Sequence, residues 1–423
     1  MRAVRSLTSE ALERRRVDSC PEVRYAAGAM TDVYYDPYDY AIDANPHPMW
    51  TRLRNEAPLY RNERYDFWAL SRFADVHDAS LDDETFSSAR GTVLELMDKM
   101  QEPVAMIFRD PPEHSNLRKL VRRAFSPRRI DELETRVREL ARRYLDPWVG
   151  TGGFDYVADF GAKLPAMVIG SMLGVPEDDQ EQIREWTDGV MHREPGETEI
   201  SDRVLETQRR LYGYFGSYVE ERRRDARDDM MTDLLEAEII EDDGSTRRLS
   251  DPEVLVFIGL LSGAGNETVA RLLGWTGWLL SAFPDERRRL VDDPSLIPGA
   301  IEELLRYEAP SPVQARSVTR DIELHGQMVP AGSRMLLLTG AAGRDEREYV
   351  DPDRFDVTRR TDRHVSLGYG IHFCLGASLA RLEGRVAIEE TLARFPEWEV
   401  DRAGAEMVHT STVRGYAKLP IRF

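Results

Sequence analysis

The stretch HVSLGYGIHFCLGASLAR, residues 364–381, places a cysteine in a glycine-rich loop immediately before a helical pattern. Cys374 follows His372 by two residues, and apolar positions then recur with a helical period as far as Pro396. Three glycines surround the thiol: Gly368, Gly370 and Gly376. The role of Cys374 therefore decides how the rest of the chain is interpreted.

The second cysteine of the chain, Cys20, is remote in sequence, and no CxxC pair is present. This usage predicts a free thiol at Cys374 and a reducing, cytoplasmic compartment. The N-terminus lacks the apolar segment of a signal peptide, and no uninterrupted apolar run approaches the roughly 20 residues that cross a bilayer. We therefore expect a soluble protein that does not bind a membrane.

The chain has 423 residues, of which 57 are basic and 76 are acidic, so its formal net charge is -19. This balance argues against nucleic acid and anionic membranes as partners. The composition, 41% hydrophobic and 31% charged, is that of a globular protein with a core large enough to hold a cofactor. No linker or repeat divides the sequence, so we expect a monomer with one domain over residues 1–423, in which about residues 1–30 form a flexible extension.

Apolar residues recur with a period of 3.6 through most of the middle and C-terminal half, as in residues 133–148, 203–224 and 377–395. Short β-like segments lie between such patterns, at residues 57–61, 65–70, 315–326, 332–340 and 418–423. The sequence therefore predicts a mainly α-helical protein with small β-sheets.

The longest helical pattern begins at Ser250 and Glu253, which form a capping box, and continues to Pro284. At about 1.5 Å per residue such a helix would span some 50 Å, so it must cross the core. Gly263 and Gly265 lie in its middle, although each glycine inside a helix costs roughly 1 kcal/mol relative to alanine. Close helix packing is one explanation. The other is that these small residues leave room for a flat cofactor or a gas beside the helix. Glu267 and Thr268 would then place an acid and a hydroxyl next to it.

Three roles are open to Cys374. A catalytic nucleophile needs a base, and His372 is close, but no nucleophile elbow or Cys-His-Asn order accompanies it. A buried free cysteine behaves as a small hydrophobe and does not need the glycines. A thiolate ligand to haem iron does need them, because the loop must wrap the sulfur so that backbone N–H groups and the next helix stabilise its charge.

The segment LGYGIHFCLGASLAR resembles the haem-binding loop of the cytochrome P450 monooxygenases, whose pattern is Phe-x-x-Gly-x-His/Arg-x-Cys-x-Gly. Gly370, His372, Cys374 and Gly376 match this pattern, whereas Leu367 stands where the family has phenylalanine. The resemblance implies that haem b is the cofactor and that Cys374 is its proximal metal ligand. Such a thiolate favours O–O cleavage over reversible oxygen binding.

The resemblance extends from about Asp110 to the C-terminus. In the long helix, AGNET is similar to the family's oxygen-binding segment, Ala/Gly-Gly-x-Asp/Glu-Thr. The similarity implies that Ala264 and Gly265 leave room for O2, and that Glu267 and Thr268 organise proton delivery.

Further matches concern the haem surroundings. Glu303 and Arg306 match the Glu-x-x-Arg pair that the family buries behind the haem, and Arg354, in the segment DPDRF, is expected to join them. Two haem propionates require cationic hydrogen-bond donors. The resemblance implies four such partners: His114, Arg118, Arg316 and His372.

The implied fold is that of the cytochrome P450s, with haem b held between the long central helix and the cysteine loop with its helix. The implied activity is hydroxylation or epoxidation of a hydrophobic small molecule, using O2 and electrons from a ferredoxin and a ferredoxin reductase. Two alternatives stay open: a haem protein that only transfers electrons or senses a gas, and an all-helical binding protein without a cofactor.

By analogy with the family, the substrate pocket draws on the variable region 86–108, on helices around 180–215 and on two later loops. Its apolar, methionine-rich character fits a steroid, a terpenoid or a polyketide. The expected lining residues are Val93, Leu94, Leu96, Met97, Met100, Pro312, Val313, Gln314, Ser411, Thr412 and Val413.

A basic cluster interrupts the acidic composition where the propionate-binding helix is expected. On the implied proximal face it would attract an acidic ferredoxin, unless its members pair with local carboxylates. The cluster consists of Arg118, Lys119, Arg122, Arg123, Arg128 and Arg129.

Overall fold

Helices make up most of the architecture. The computed structural model describes residues 33–99, 105–122, 124–191, 199–240, 244–408, 410 and 412–423, and fifteen α-helices lie in these ranges. They are α1 (Tyr40–Ala44), α2 (His47–Glu56), α3 (Phe73–Leu81), α4 (Glu113–Arg122), α5 (Pro127–Glu132), α6 (Glu134–Leu145), α7 (Lys163–Leu173), α8 (Glu177–Met191), α9 (Asp202–Arg224), α10 (Met230–Glu236), α11 (Asp251–Ala282), α12 (Pro284–Asp292), α13 (Ile297–Tyr307), α14 (Thr339–Ala342) and α15 (Ala377–Arg394). The extension expected at about residues 1–30 lies outside the described residues.

Fourteen short strands occur in the same ranges and form five small sheets. They are β1 (Leu59–Asn62), β2 (Phe67–Leu70), β3 (Phe86–Ser87), β4 (Gly153–Asp155), β5 (Glu238–Ile240), β6 (Thr246–Arg248), β7 (Gln314–Val318), β8 (Ile322–Leu324), β9 (Gln327–Val329), β10 (Arg334–Leu337), β11 (Glu399–Val400), β12 (Glu406–Met407), β13 (Tyr416–Lys418) and β14 (Pro420–Arg422). The largest sheet has the order β1-β2-β10-β7-β3, in which β10 is parallel to β2 and the other neighbours are antiparallel. Its register places Met335 between Trp68 and Arg316.

The periodic patterns of the sequence correspond to observed elements. The helical segments 133–148, 203–224 and 377–395 contain α6, α9 and α15. The β-like segments supply β1, β2, β7, β8, β10 and β14. The predicted class, mainly helical with small sheets, is therefore confirmed.

The central helix α11 crosses the core as its length predicts. The Ser250 N–H donates to Glu253 Oε2 at 2.8 Å within the predicted capping box. Its 32 residues correspond to about 48 Å, and it packs against α7, α9 and α15. Of the described helices, it alone is long and apolar enough by composition to span a membrane. Packing inside the protein explains the same composition.

The apolar core has one large cluster and two smaller ones. The large cluster joins α6, α7, α9, α11 and α15. Tyr156 and Leu419 pack closely against α11 at Gly277, where a Cβ would lie 2.7 Å from Tyr156 Cδ1 and 2.9 Å from Leu419 Cδ2. One smaller cluster contains Met97 and Val313 together with residues of the five-stranded sheet. The core thus holds α11 and α15, the two helices that carry the predicted site.

Candidate functional site

The loop that carries Cys374 is shaped by its glycines. The Cys374 N–H donates to the Leu367 carbonyl at 2.8 Å, which closes the loop before α15 begins. Gly368 and Gly370 have φ angles of +69° and +65°, in the left-handed region that favours glycine. A Cβ at Gly370 would also lie 2.7 Å from the Ser80 carbonyl oxygen. Side chains at these positions would therefore displace the loop that positions the thiol.

Backbone and cationic groups surround Cys374. Burial raises the pKa of its thiol above the ordinary value, although the Gly376 N–H, Arg118 and Arg381 act in the opposite direction. The cysteine also precedes the N-terminus of α15, where the helix dipole stabilises negative charge. A thiolate is the form in which cysteine binds a metal. These groups would stabilise the charge of a sulfur ligand.

Two histidines predicted to serve the propionates lie side by side. The rings of His114 and His372 are 4.3 Å apart between centroids, at an interplanar angle of 54°. Burial lowers the pKa of both, and that of His372 falls to about 3 because Arg316, His114 and Arg118 add positive charge. Buried His114 Nδ1 and His372 Nε2 have no hydrogen-bond partner among the described residues. Both atoms are thus available to a polar group of a ligand.

Arg316 completes this group from β7. It is 7% exposed, and burial lowers the pKa of its guanidinium to about 10, an effect that Asp110 opposes. Its Nη1 donates to the carbonyl of the adjacent Ala315 at 2.7 Å. Arg118, from α4, donates to the Phe373 carbonyl at 2.5 Å, directly beside the thiol.

The four predicted propionate partners therefore converge from α4, β7 and the cysteine loop. A buried arginine and unpartnered histidine nitrogens destabilise a protein unless an anionic acceptor compensates them. The carboxylates of a haem supply such acceptors, and the adjacent thiol supplies an iron ligand. The residues present therefore fit haem b.

The predicted oxygen-binding segment of α11 has an exposed side and a side packed against α7. A Cβ at Gly265 would lie 3.2 Å from Ile169 Cγ1 of α7, so helix packing accounts for this glycine. Ala264, by contrast, is exposed, and Thr268 is partly exposed. The Thr268 hydroxyl donates to the Ala264 carbonyl at 2.8 Å, the bond expected of a threonine one turn further along a helix.

Glu267 lies on the buried side of the same helix. Its side chain is 4% exposed and forms an ion pair of 3.1 Å with Arg271, which also donates to the Tyr416 carbonyl. Asp188, from α8, is close enough to help Arg271 lower the pKa of Glu267, which burial opposes. Neither Arg271 nor Asp188 was identified from the sequence. Arg271 follows Glu267 by four residues, a spacing that could have indicated the pair.

The predicted pair Glu303 and Arg306 is fully buried. Arg306 donates two hydrogen bonds to Glu303, from Nε to Oε2 at 2.6 Å and from Nη2 to Oε1 at 2.8 Å. Its Nη1 donates to the carbonyls of Gly343 and Pro352, at 2.7 and 2.9 Å. The pair thus connects α13 to two later loops.

The prediction that the Arg354 side chain joins this pair is wrong. Arg354 is 62% exposed and pairs with Asp356 at 3.4 Å, and only its carbonyl accepts a bond from Arg306, at 3.4 Å. Arg359 takes the expected position, because its Nε donates to Glu303 Oε1 at 3.1 Å. The loop turns between these two arginines, and their order in sequence does not reveal which one points inward.

The predicted pocket residues are brought together in part. Met97 and Val313 are 1% and 8% exposed and share the small apolar cluster, against which Leu94 packs. Val93 and Thr412 are partly exposed, and the Thr412 carbonyl accepts from Ser311 at 2.9 Å. Val313 also lines a cavity with two other expected residues, Pro312 and Val413. Aromatic and charged neighbours, among them Trp50, Asp43 and Arg414, complete its wall. Met100 and Ser411 lie outside the described residues.

The basic cluster divides into paired and unpaired members. Arg128 and Arg129 lie 3.2 and 3.7 Å from Glu132. Lys119 donates to the Asn116 side chain at 3.2 Å, and the exposed Arg122 has no carboxylate partner among the described residues. Arg123 lies outside them. The unpaired positive charge is thus concentrated on α4, the helix that also carries His114.

The fold is mainly helical, and the site fits a haem beside a cysteine. A sequence model of the family Cytochrome P450 matches residues 196–412. A protein of Mycobacterium tuberculosis (strain ATCC 25618 / H37Rv) named cytochrome P450 123 is 42% identical over 394 residues, which cover 92% of this chain and 97% of the relative. This chain belongs to the cytochrome P450 family. Membership decides against the binding protein without a cofactor.

Two further relatives are named for an activity or for a bound ligand. Vitamin D(3) 25-hydroxylase of Pseudonocardia autotrophica is 37% identical, over 92% of this chain and 96% of the relative. The crystal structure of CYP109E1 from Bacillus megaterium in complex with testosterone superposes with a TM-score of 0.81 at 31% identity, over 89% of this chain and 97% of that one. The predicted fold is confirmed, as are haem b as cofactor and monooxygenation as the class of reaction.

Proposed function

We propose that this chain hydroxylates or epoxidises a hydrophobic small molecule of steroid, terpenoid or polyketide type. The main support for a haem site is that unpartnered, buried nitrogens of His114 and His372 converge with Arg316 beside Cys374. The apolar cluster around Met97 and Val313 supports a hydrophobic substrate. The vitamin D(3) activity of one relative and the testosterone complex of another support the same class.

Each residue near the loop has a proposed role. Cys374 is the proximal thiolate ligand, and Gly376 donates its N–H to the sulfur. His114, Arg118, Arg316 and His372 bind the propionates. When bound, haem supplies the redox centre at which O2 is activated. The surrounding cations neutralise charge that a buried site could not otherwise hold.

On the side of the site opposite Cys374, residues of α11 control the delivery of protons. Ala264, on the exposed side of the helix, leaves space for O2, whereas Gly265, for which the sequence predicted the same role, packs against Ile169 of α7. The Thr268 hydroxyl leaves the Ala264 carbonyl and donates toward the oxygen side, so that protonation leads to water rather than to release of hydrogen peroxide. Glu267 takes up and passes on the next proton, and its ion pair with Arg271 fixes the position of its carboxylate. Packing of Gly265 against Ile169 of α7 closes the other side of this segment.

The proposed electron donor is an acidic ferredoxin with its ferredoxin reductase. Lys119 and Arg122 on α4 provide exposed positive charge on a strongly acidic protein. Complementary charge accelerates association between redox proteins. We also propose a cytoplasmic, monomeric protein with a single domain over residues 1–423.

A spectral screen tests this proposal. The reduced carbonyl complex is expected to show the strongly red-shifted Soret band of a thiolate-ligated haem, whereas a histidine-type band would contradict the assignment of Cys374. Testosterone, vitamin D3 and a macrolide are then titrated into the ferric protein, and compounds that shift the Soret band are incubated with labelled O2. One labelled oxygen atom in the product supports the proposal. Oxidation of electron donor without labelled product from any compound that binds would contradict it.

A further inference from the structure

A small cavity lies where α7, α8 and α11 pack against one another. Its volume is about 10 Å³, close to the minimum that one water molecule requires. Apolar side chains of α7 and α9 form much of its wall. The polar part of the wall comes from α8 and α11, and it consists of Gln180, Arg184, Thr187, Ser262 and Asn266.

Two side-chain oxygens in this polar wall have no hydrogen-bond partner among the described residues. They are Gln180 Oε1 and Asn266 Oδ1, and both residues are only 3% exposed. The Gln180 amide is oriented by its Nε2, which donates to the Val175 carbonyl at 2.9 Å. A buried acceptor without a donor destabilises the folded state. The cavity therefore requires a ligand that donates hydrogen bonds.

A glycine of α7 keeps the Gln180 side chain in this position. A Cβ at Gly170 would lie 2.8 Å from Gln180 Cδ and 2.9 Å from its Cγ, too close for any larger residue. The side chain of Gln180 thus lies directly against the backbone of α7. Its amide is held inside the protein, where bulk water does not reach the oxygen.

The neighbouring donors are already engaged. Arg184 donates from Nε and Nη2 to Glu181, at 3.2 and 2.8 Å. Its Nη1 donates to Asp188 at 2.5 Å. The Thr187 hydroxyl donates to a carbonyl of its own helix at 2.8 Å. These side chains therefore leave both oxygens to another donor.

The charge of Arg184 decides which kind of donor fits. A metal cation or an ammonium ion would be repelled by the guanidinium group that lines the same cavity. Water is neutral, and it can donate one hydrogen bond to each of the two acceptors. The Ser262 hydroxyl can donate to the water oxygen, because its contact with Thr187 is long, at 3.5 Å.

We propose that this cavity is the binding site of one structural water molecule, which joins α8 to α11. The water donates to Gln180 Oε1 and Asn266 Oδ1 and accepts from the Ser262 hydroxyl. Asn266, in the AGNET segment, then serves the attachment of two helices rather than the binding of oxygen. None of these three residues has a role in the proposed function, so the two proposals can fail separately.

Two measurements on the haem-loaded protein detect the water directly. In a high-resolution crystal structure, one water is expected within about 3.2 Å of both oxygens. Oxygen-17 relaxation dispersion, which detects long-lived buried water, should show one fewer such molecule in Asn266→Leu than in the wild type. Gln182→Met, an exposed change on α8, is the matched control and should retain the wild-type number. A cavity without water density, together with equal numbers in all three proteins, would overturn the proposal.

Thermal unfolding provides an independent test. If water is bound, Asn266→Leu removes one of its partners, so the unfolding temperature should fall. If the cavity is dry, the same change removes an unsatisfied acceptor, so that temperature should rise. Gln180→Met should lower it in either case, because the bond to Val175 is lost.

The double variant, Gln180→Met with Asn266→Leu, supplies the decisive comparison. Once both acceptors are gone, the cavity no longer needs a water molecule. The double variant is therefore expected to lose less thermal stability than the sum of the two single changes. A rise in the unfolding temperature of Asn266→Leu, or strictly additive losses in the double variant, would contradict a shared water.

Discussion

Arg306 donates two hydrogen bonds to Glu303, at 2.6 and 2.8 Å, and both side chains are 0% exposed. Removing one partner leaves the other charge buried without compensation, which costs about 3–5 kcal/mol. Glu303→Ala and Arg306→Ala are therefore expected to lower the unfolding temperature strongly and to abolish haem incorporation. The yield of haem-loaded protein measures this effect. Arg354→Ala, at 62% exposure, is the control and should change stability by no more than about 0.5 kcal/mol.

Arg316 is expected to destabilise the protein without haem and to strengthen haem binding. A buried cation without a carboxylate partner destabilises the apoprotein, so Arg316→Leu should raise the apoprotein unfolding temperature. The same change should weaken haem binding, because a propionate loses its partner. Thermal unfolding with and without haem measures both effects, with the exposed Arg320→Ala as control. An apoprotein stabilised by Arg316→Leu with unchanged haem affinity would show that this arginine does not bind a propionate.

Thr268→Ala distinguishes a catalytic threonine from a structural one. If the hydroxyl only bonds to the Ala264 carbonyl, its loss should cost a little stability and nothing else. If it donates toward the oxygen side, the variant should retain haem and substrate binding while hydrogen peroxide rises and product per electron pair falls. Thr276→Ala is a matched control, because Thr276 donates to the Leu272 carbonyl at 2.9 Å in the same helix. Equal coupling in both variants would assign Thr268 a structural role.

Charge reversal on α4 tests the proposed ferredoxin surface. Lys119→Glu with Arg122→Glu should slow reduction by an acidic ferredoxin, and the difference from wild type should shrink as salt screens the charges. Stopped-flow reduction at several ionic strengths measures this, while substrate titration checks that the pocket is unchanged. Arg288→Glu reverses a charge on α12 and should leave reduction unaffected. A slowing of equal size in Arg288→Glu would indicate net charge rather than a docking surface.

Acid stability should depend on Glu302, which joins α13 to the cysteine helix. Its carboxylate accepts from Arg381 at 2.6 and 2.8 Å and contacts His364 at 3.1 Å. Burial opposes ionisation, but these partners lower the pKa of Glu302 to about 2. Its stabilising contribution is therefore complete above its ordinary pKa and is lost as the pH falls from about 4.5 toward 2. Glu302→Gln should lower stability at pH 7 and flatten its decline in acid, as measured by chemical unfolding; exposed Glu63→Gln should do neither.

Local sequence patterns were sufficient to predict the helices and strands and the glycine-rich loop that carries Cys374. The ends of α11 follow from a capping box and a proline, and the left-handed backbone angles of Gly368 and Gly370 before Cys374 require glycine. These features depend on residues close in sequence, so a single chain reveals them. The convergence of His114, Arg316 and His372 was accessible in a different way, through resemblance to a known family.

Tertiary structure alone decided which side chains face one another. Arg359 rather than Arg354 reaches Glu303 because the loop between them turns, and Asp188 lies near Glu267 because α8 packs against α11. Both contacts join residues more than fifty positions apart. Periodicity specifies which face of a helix is apolar, but the crossing of two helices depends on how whole side-chain surfaces fit. The chemistry at the thiol could thus be inferred from sequence, whereas the partners of the proposed proton-delivering acid could not.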